Sequence, residues 1–421
     1  MESRDTPGLG GLMQTQAIGP QDKKLYTLSD GVSQNPACNQ FTNLGTVRPT
    51  RGAMEVKEQA FSPFAFDSIN RIEIQRAGDL VGDVMLEITL PSLAGRGGTS
   101  DNYWRANIGY ILIKHVRLLL NDIELNSSER LYYDVYEKLY NTATTRKAIR
   151  TLIGGTEEKG PNGLLVNFEH TIIVPLKLFT SKRRGANQTF LPLIATPASS
   201  LYLEIETESF QNCVTSYSGI DPPTTLECRL LTEYVFLEEY EKERIINQPQ
   251  TMLIETVQDS EGFSFREVLS TDGQNQIIPS DTVVVSLKEI NFPVKAIMFA
   301  AYRTSDLQNR QYFKYIDVID SVSLRFDGND RTEGFEPADY YRLVQPYMHA
   351  PRCTNDNIFF YSFALDPVLL QPTGTFNFSN IREGQLVVKL KQPANDVVIK
   401  AFVLGYSWVQ FQNGYATVLF S

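Results

Sequence analysis

The chain has 421 residues, more than one hydrophobic core comfortably supports, so its length predicts two or three domains. Apolar residues make up 42%, charged residues 21% and aromatics 11%, a composition that excludes an intrinsically disordered polypeptide. With 39 Lys and Arg against 49 Asp and Glu the net charge is −10, which argues against direct nucleic-acid binding, because phosphates are held by clustered basic residues.

Residues 1–55 are rich in Gly, Pro, Gln, Asn and Thr without sustained periodicity, and read as an extended arm that orders only against something else. The first residues lack the apolar core of a signal peptide, and no run approaches the roughly 18 apolar residues of a membrane-spanning helix. Cys38, Cys213, Cys228 and Cys353 lie far apart with no C-x-x-C, which suits reduced thiols in a cytoplasm better than a disulfide framework.

Beyond the arm the period is two. Val84, Leu86, Ile88 and Leu90 share one face of a predicted strand, as do Leu201, Leu203 and Ile205. Val322, Leu324 and Phe326, then Leu386, Val388 and Leu390, repeat the pattern. Successive side chains of a strand point to opposite sheet faces, so this alternation marks half-buried strands. Asn121-Asp122, Asp327-Gly328 and Asn413-Gly414 supply turns. Many short strands without long interleaved helices predict an all-β fold of antiparallel sandwiches or barrels.

Two helical stretches interrupt the strands. Leu131, Val135 and Leu139 fall at i, i+4 and i+8 within residues 130–152. The second opens at Pro337, where a first turn tolerates proline, and is expected to stop before Pro346. A charged stretch around residues 236–250 divides the strand-rich region, giving an arm (1–55), a first sandwich (56–240) and a second (241–421). Two similar halves suggest duplication, although no residue-by-residue repeat is visible.

Chemistry is scarce. His115, His170 and His349 are the only histidines, and the first two sit in strand contexts that suit edge or satisfied core histidines. There is no HExxH, GxSxG or GxxxxGK[ST] motif. Residues 327–334 resemble a calcium loop, but Arg331 stands where an oxygen ligand is needed and Thr332 where the turning glycine is needed. Lys182, Arg183 and Arg184 form a basic turn without interleaved aromatics, better read as a solvated loop. Sequons occur at Asn126, Asn187 and Asn377; Asn126 and Asn187 follow turn-like segments and are the two candidate glycosylation acceptors. These residues point to no catalytic, metal or cofactor site.

The segment YSFALDPVLLQPTGTFNFSNI, residues 361–381, resembles the C-terminal signature of the major capsid proteins of nucleocytoplasmic large DNA viruses. Thr373 replaces the family's usual serine and Phe376 stands where cysteine is common. Residues 10–22, 76–91, 108–139, 174–206 and the closing strand 414–421 resemble further parts of the family.

The resemblance implies two tandem eight-stranded antiparallel jelly rolls and a homotrimer forming a pseudo-hexagonal capsomer. It also implies an icosahedral shell over an internal membrane and a double-stranded DNA genome, located in the virion and assembled in the host cytoplasm or a viral factory. Neighbouring capsomers, minor capsid and penton proteins, and an inner membrane met by the arm would be its partners. A paralogous minor capsid or scaffold protein, or a carbohydrate-binding jelly roll, remain the alternatives.

Within the signature, Asp366-Pro367 is expected to end one strand, because proline cannot donate to a ladder. Pro372 and Gly374 then set a turn, and Phe376 and Phe378 are expected to point into the second sandwich.

Overall fold

The computed structural model describes residues 52–155, 162–181, 188–269, 275–331, 334–352 and 356–419. The arm to residue 51, the basic turn 182–187 with Asn187, and Cys38 and Cys353 lie outside them.

The first unit contains β1 (Gly52–Phe64), β2 (Ile69–Glu73), β3 (Leu80–Leu90), β4 (Ile113–Leu120), β5 (Ile123–Glu129), β6 (His170–Pro175), β7 (Leu201–Thr207) and β8 (Leu226–Leu237). They form two facing antiparallel sheets, in the orders β1-β8-β3-β6 and β2-β7-β4-β5. That is the jelly-roll arrangement, in which every strand has its place in one of two four-stranded layers.

The second unit contains β9 (Gln250–Phe263), β10 (Asn275–Ser286), β11 (Pro293–Arg303), β12 (Ile319–Phe326), β13 (Asn329–Asp330), β14 (Ile358–Ser362), β15 (Gly384–Ala394) and β16 (Val397–Gln412). Their orders are β9-β16-β11-β14 and β10-β15-β12-β13, with β17 (Tyr415–Leu419) added beside β16. Each of β9 to β16 occupies the place held in the first unit by the strand eight earlier, while β17 and the strand Phe265–Leu269, which pairs with β10, are additions without a counterpart. The fold is two tandem jelly rolls.

The period-two residues are buried as their spacing predicts: Leu86, Ile88 and Leu203 inside the first sandwich, Leu324, Leu386 and Val388 inside the second. Asn121, Asp327 and Asn413 adopt positive φ of 54°, 49° and 55° at the three expected turns.

Several boundaries differ from the sequence reading. β1 starts at Gly52, so residues 52–55 are strand rather than arm. The charged linker folds as helix α3 (Glu239–Asn247). The stretch 130–152 is two helices, α1 (Arg130–Tyr140) and α2 (Ala143–Leu152), because the Thr142 hydroxyl accepts from Thr145 N and caps a new start. The second helical stretch does not stop at Pro346. A wide π turn at Tyr340–Val344 hands over to a helix at Gln345–His349, and Pro346 falls in its first turn, where a missing N–H costs no bond.

Candidate functional site

Every residue of α1 is buried. The helix belongs to the first unit but lies on the outer face of the second unit's β9-β16-β11-β14 sheet. Leu131, Val135 and Leu139 form one apolar row, and Tyr132, Tyr136 and Tyr140 another at the same spacing. Both rows meet Met298, Tyr302, Phe360 and Phe402 of the second sheet, with ring centroids 5.8 Å apart for Tyr132–Phe402 and 6.3 Å for Tyr140–Phe360. Tyr133 turns the other way, into the first core. A helix apolar around most of its circumference is stable only when enclosed, and the second jelly roll encloses this one.

The charged groups of α1 are all paired. Arg130 donates to Glu208 at 2.5 Å and to the Ile111 carbonyl at 3.1 Å, with its guanidinium 4.4 Å over the Tyr312 ring. Burial alone would push the Glu208 carboxyl up, but Arg130 and the Asn212 amide outweigh it and hold the group below its ordinary value. Lys138 pairs with Asp134 at 2.8 Å and with Asp356 of the second unit at 3.5 Å, while the Tyr315 hydroxyl donates to Asp134. Glu137 accepts from the Tyr110 hydroxyl and lies 3.5 Å from Lys177; burial pushes its carboxyl up. Just before the helix, Glu129 receives Lys400 of β16. Buried charges paired in this way fix a single docking geometry rather than adding much stability, since removing them from water offsets most of their attraction.

The signature segment departs from its expected course. β14 ends at Ser362, four residues before Asp366-Pro367. Phe363 still donates to the Lys295 carbonyl at 2.8 Å, after which the chain leaves the sheet. Asp366 and Thr373 close the loop between them: Asp366 N donates to the Thr373 hydroxyl at 2.9 Å, and that hydroxyl donates back to the Asp366 carbonyl at 3.0 Å. Pro367 is buried and Pro372 exposed. Gly374 has φ +141°, and a Cβ there would stand 2.9 Å from the Phe363 carbonyl oxygen. Phe376 pairs with Val294 of β11, half buried at the edge of the second core, while Phe378 is buried within it. Phe326, Phe363, Phe376 and Phe378 form one aromatic cluster, with Phe363 stacked on Phe376 at 5.4 Å.

The remaining candidates stay apart. His115 meets Ser127 at 2.9 Å, His170 the Leu165 carbonyl at 2.8 Å and His349 the Leu365 carbonyl at 3.0 Å. Asp330 accepts from Ser323 and Arg325 at 2.8 and 2.7 Å, so a carboxylate of the stretch that resembled a calcium loop is held by an arginine instead. Among the described residues no group of three His, Cys, Asp or Glu is placed to hold a metal. Cys213 and Cys228 are free buried thiols; burial pushes both up, Cys228 to about 12. Asn126 lies in β5 with 5% of its surface exposed, which leaves no room for a glycan on the folded chain. The Asn377 side chain accepts from Ser379 N at 3.0 Å and starts a short helical turn.

The docking role of α1 is what the sequence reading missed. Its signal was present in the second row, Tyr132, Tyr136 and Tyr140, which gives the helix two apolar faces.

An exposed apolar patch remains. Val344, Tyr347 (82% exposed), Met348 and Leu365 (78% exposed) cluster where His349 ties the helix Gln345–His349 to the signature loop.

Residues 45–238 match the family described as major capsid protein N-terminus, and residues 241–404 match large eukaryotic DNA virus major capsid protein. The major capsid protein of Pyramimonas orientalis virus is 26% identical over 98% of this chain and 99% of its own length. That of Paramecium bursaria Chlorella virus 1 is 27% identical over 94% of this chain and 91% of its own length. In shape, a chain of the PBCV-1 virus capsid superposes with a TM-score of 0.73 at 20% identity, covering 91% of this chain and all of that one. The Faustovirus major capsid protein gives a TM-score of 0.65 at 10% identity, covering 91% of this chain and 95% of its own.

Proposed function

This chain belongs to the major capsid protein family of large eukaryotic DNA viruses, and from that premise we propose that it is the self-assembling tile of an icosahedral shell. Three copies form a pseudo-hexagonal capsomer, and capsomers join one another and the minor capsid and penton proteins. The shell encloses an internal membrane and a double-stranded DNA genome. The arm, residues 1–51, faces the membrane or a minor protein beneath it, and the chain does not touch nucleic acid directly. Assembly takes place in the host cytoplasm or in a viral factory, and the chain catalyses no reaction.

One observation carries this reading. The two jelly rolls repeat the same strand order with an offset of eight, and a wholly buried helix locks them together. A chain holding two equivalent units in fixed relation supplies a third of a six-sided tile, because closed rings require a constant rotation from unit to unit. The charged side chains of α1, at the seam between the units, pair with neighbours rather than converge on a reactive centre.

Light scattering on the purified chain tests the proposal, with an expected mass three times the 47.6 kDa of one copy. A persistent monomer at micromolar concentration would sink it. Abundance in purified particles separates a major from a minor capsid role, because the major protein must outnumber every other chain.

A further inference from the structure

We infer that the exposed patch on the helix Gln345–His349 is the contact by which one copy docks on the next, and that its target is the outer face of the β1-β8-β3-β6 sheet. The inference rests on the trimer reading above and gives it a surface.

The duplication within the chain locates the contact. In the first unit, α1 lies between β5 and β6 and covers the outer face of the second unit's β9-β16-β11-β14 sheet. In the second unit, the helix Gln345–His349 lies between β13 and β14, the equivalent place eight strands later. It presents Val344, Tyr347 and Met348 to solvent where α1 has a sheet to cover. The equivalent sheet, β1-β8-β3-β6, belongs to the first unit, and a chain cannot bring it round to its own second unit. A second copy can.

The receiving face has the right chemistry. Register places Met85 beside Leu231 on one side and Pro175 on the other, all half buried on the outer face, while Val56 on the neighbouring strand is 53% exposed. Charge on that face is partly offset: Arg229 lies 3.7 Å from Glu58 and 3.6 Å from Glu87, which leaves one carboxylate in excess beside the apolar residues. The face is more polar than its covered equivalent, where Val257, Met298, Phe360 and Phe402 are all buried. That difference separates a surface solvated before assembly from one that is always enclosed. The contact joins unlike surfaces head to tail, as ring closure demands.

Two double variants of the full chain test this: Tyr347→Glu with Met348→Glu on the helix, and Val56→Glu with Met85→Glu on the sheet. Circular dichroism and melting temperature first check that each remains folded. Each variant alone is expected to fall from a trimer to a monomer in native mass spectrometry. An equimolar mixture is expected to give a dimer containing one of each, because each supplies the face the other lacks, and no closed trimer. If the wild type is a trimer and either variant stays one, this contact is wrong while the trimer reading stands. A mixture indistinguishable from the separate variants would equally overturn it. A monomeric wild type would remove both.

Discussion

Lys400 Nζ lies 3.0 Å from both carboxylate oxygens of Glu129, joining two residues 271 positions apart across the seam between the jelly rolls. Burial works against the lysine charge, but Glu129 and Glu261 outweigh it and hold its pKa above the ordinary value. Lys400→Ala leaves Glu129 partly buried without its cation, and is expected to destabilise the chain by about 1–3 kcal/mol. Exchanging the pair, with Glu129→Lys and Lys400→Glu together, should recover part of that loss. Thermal melts of Lys400→Ala, of Glu129→Lys and Lys400→Glu singly, and of the double exchange measure it. Strict additivity of the two single effects would show that the pair is not coupled.

Packing along α1 makes a larger demand. Leu139 is fully buried against the second sheet. Leu139→Ala is expected to cost about 2–5 kcal/mol through lost burial and the cavity left behind. Because the cavity opens between the two units, α3 should be cut faster by protease in this variant than in the wild type. Unchanged cleavage would mean that the jelly rolls are held together without α1.

The signature loop turns on one backbone angle. Gly374 sits at φ +141° with the Phe363 carbonyl oxygen 2.9 Å from where a Cβ would lie. A side chain in such a conformation costs on the order of 1–3 kcal/mol in backbone strain before any clash is counted. Gly374→Val is therefore expected to lower the melting temperature, unstack Phe363 from Phe376 and abolish soluble trimer. Pro372→Ala, at an exposed position, should change stability much less. Normal melting and assembly of Gly374→Val would refute the corner as a packing device.

The strands were legible because one face of each meets a core and the other does not, which writes a period of two into Leu86, Ile88 and Leu203. β11 shows where that logic ends. Residues Val294–Tyr302 are buried on both faces, because α1 covers the outer side, so no alternation survives. The strand end at Ser362 was illegible for another reason: it is set by where the Asp366–Thr373 loop closes, a contact no local pattern encodes. Proline at 346 misled because its cost depends on whether a fresh helix begins there, which only the π turn before it decides. The seam itself was half legible, since the leucine row of α1 stood out and the tyrosine row passed as ordinary aromatic content.

Acid should stabilise this protein before it harms it. Asp83 sits at an irregularity in the β3–β8 pairing, where its own N–H donates to Glu233 at 3.2 Å and Gln188 donates to the same Glu233 oxygen at 2.7 Å. Burial pushes the Asp83 carboxyl up to about 6; the Glu233 charge adds to the shift, while Lys177 and Ser181 oppose it. Glu137, on the other side of Lys177, is also raised by burial. A carboxyl whose folded pKa exceeds its unfolded value binds its proton more tightly in the native state, so stability rises as pH falls through the folded pKa and levels off below the unfolded one. For Asp83 the window runs from about 7 down to about 4 and is worth roughly 3 kcal/mol at most. The depressed carboxyls, Glu208 and Asp330, act in the opposite sense but only below their ordinary range, so they do not cancel it there. The melting temperature of the wild type is expected to be higher at pH 5.5 than at pH 8. Asp83→Asn should flatten that slope and raise stability at pH 8, because it removes the unfavourable buried charge. A wild-type melting temperature that falls steadily from pH 8 to pH 5.5 would show that other groups control the acid response.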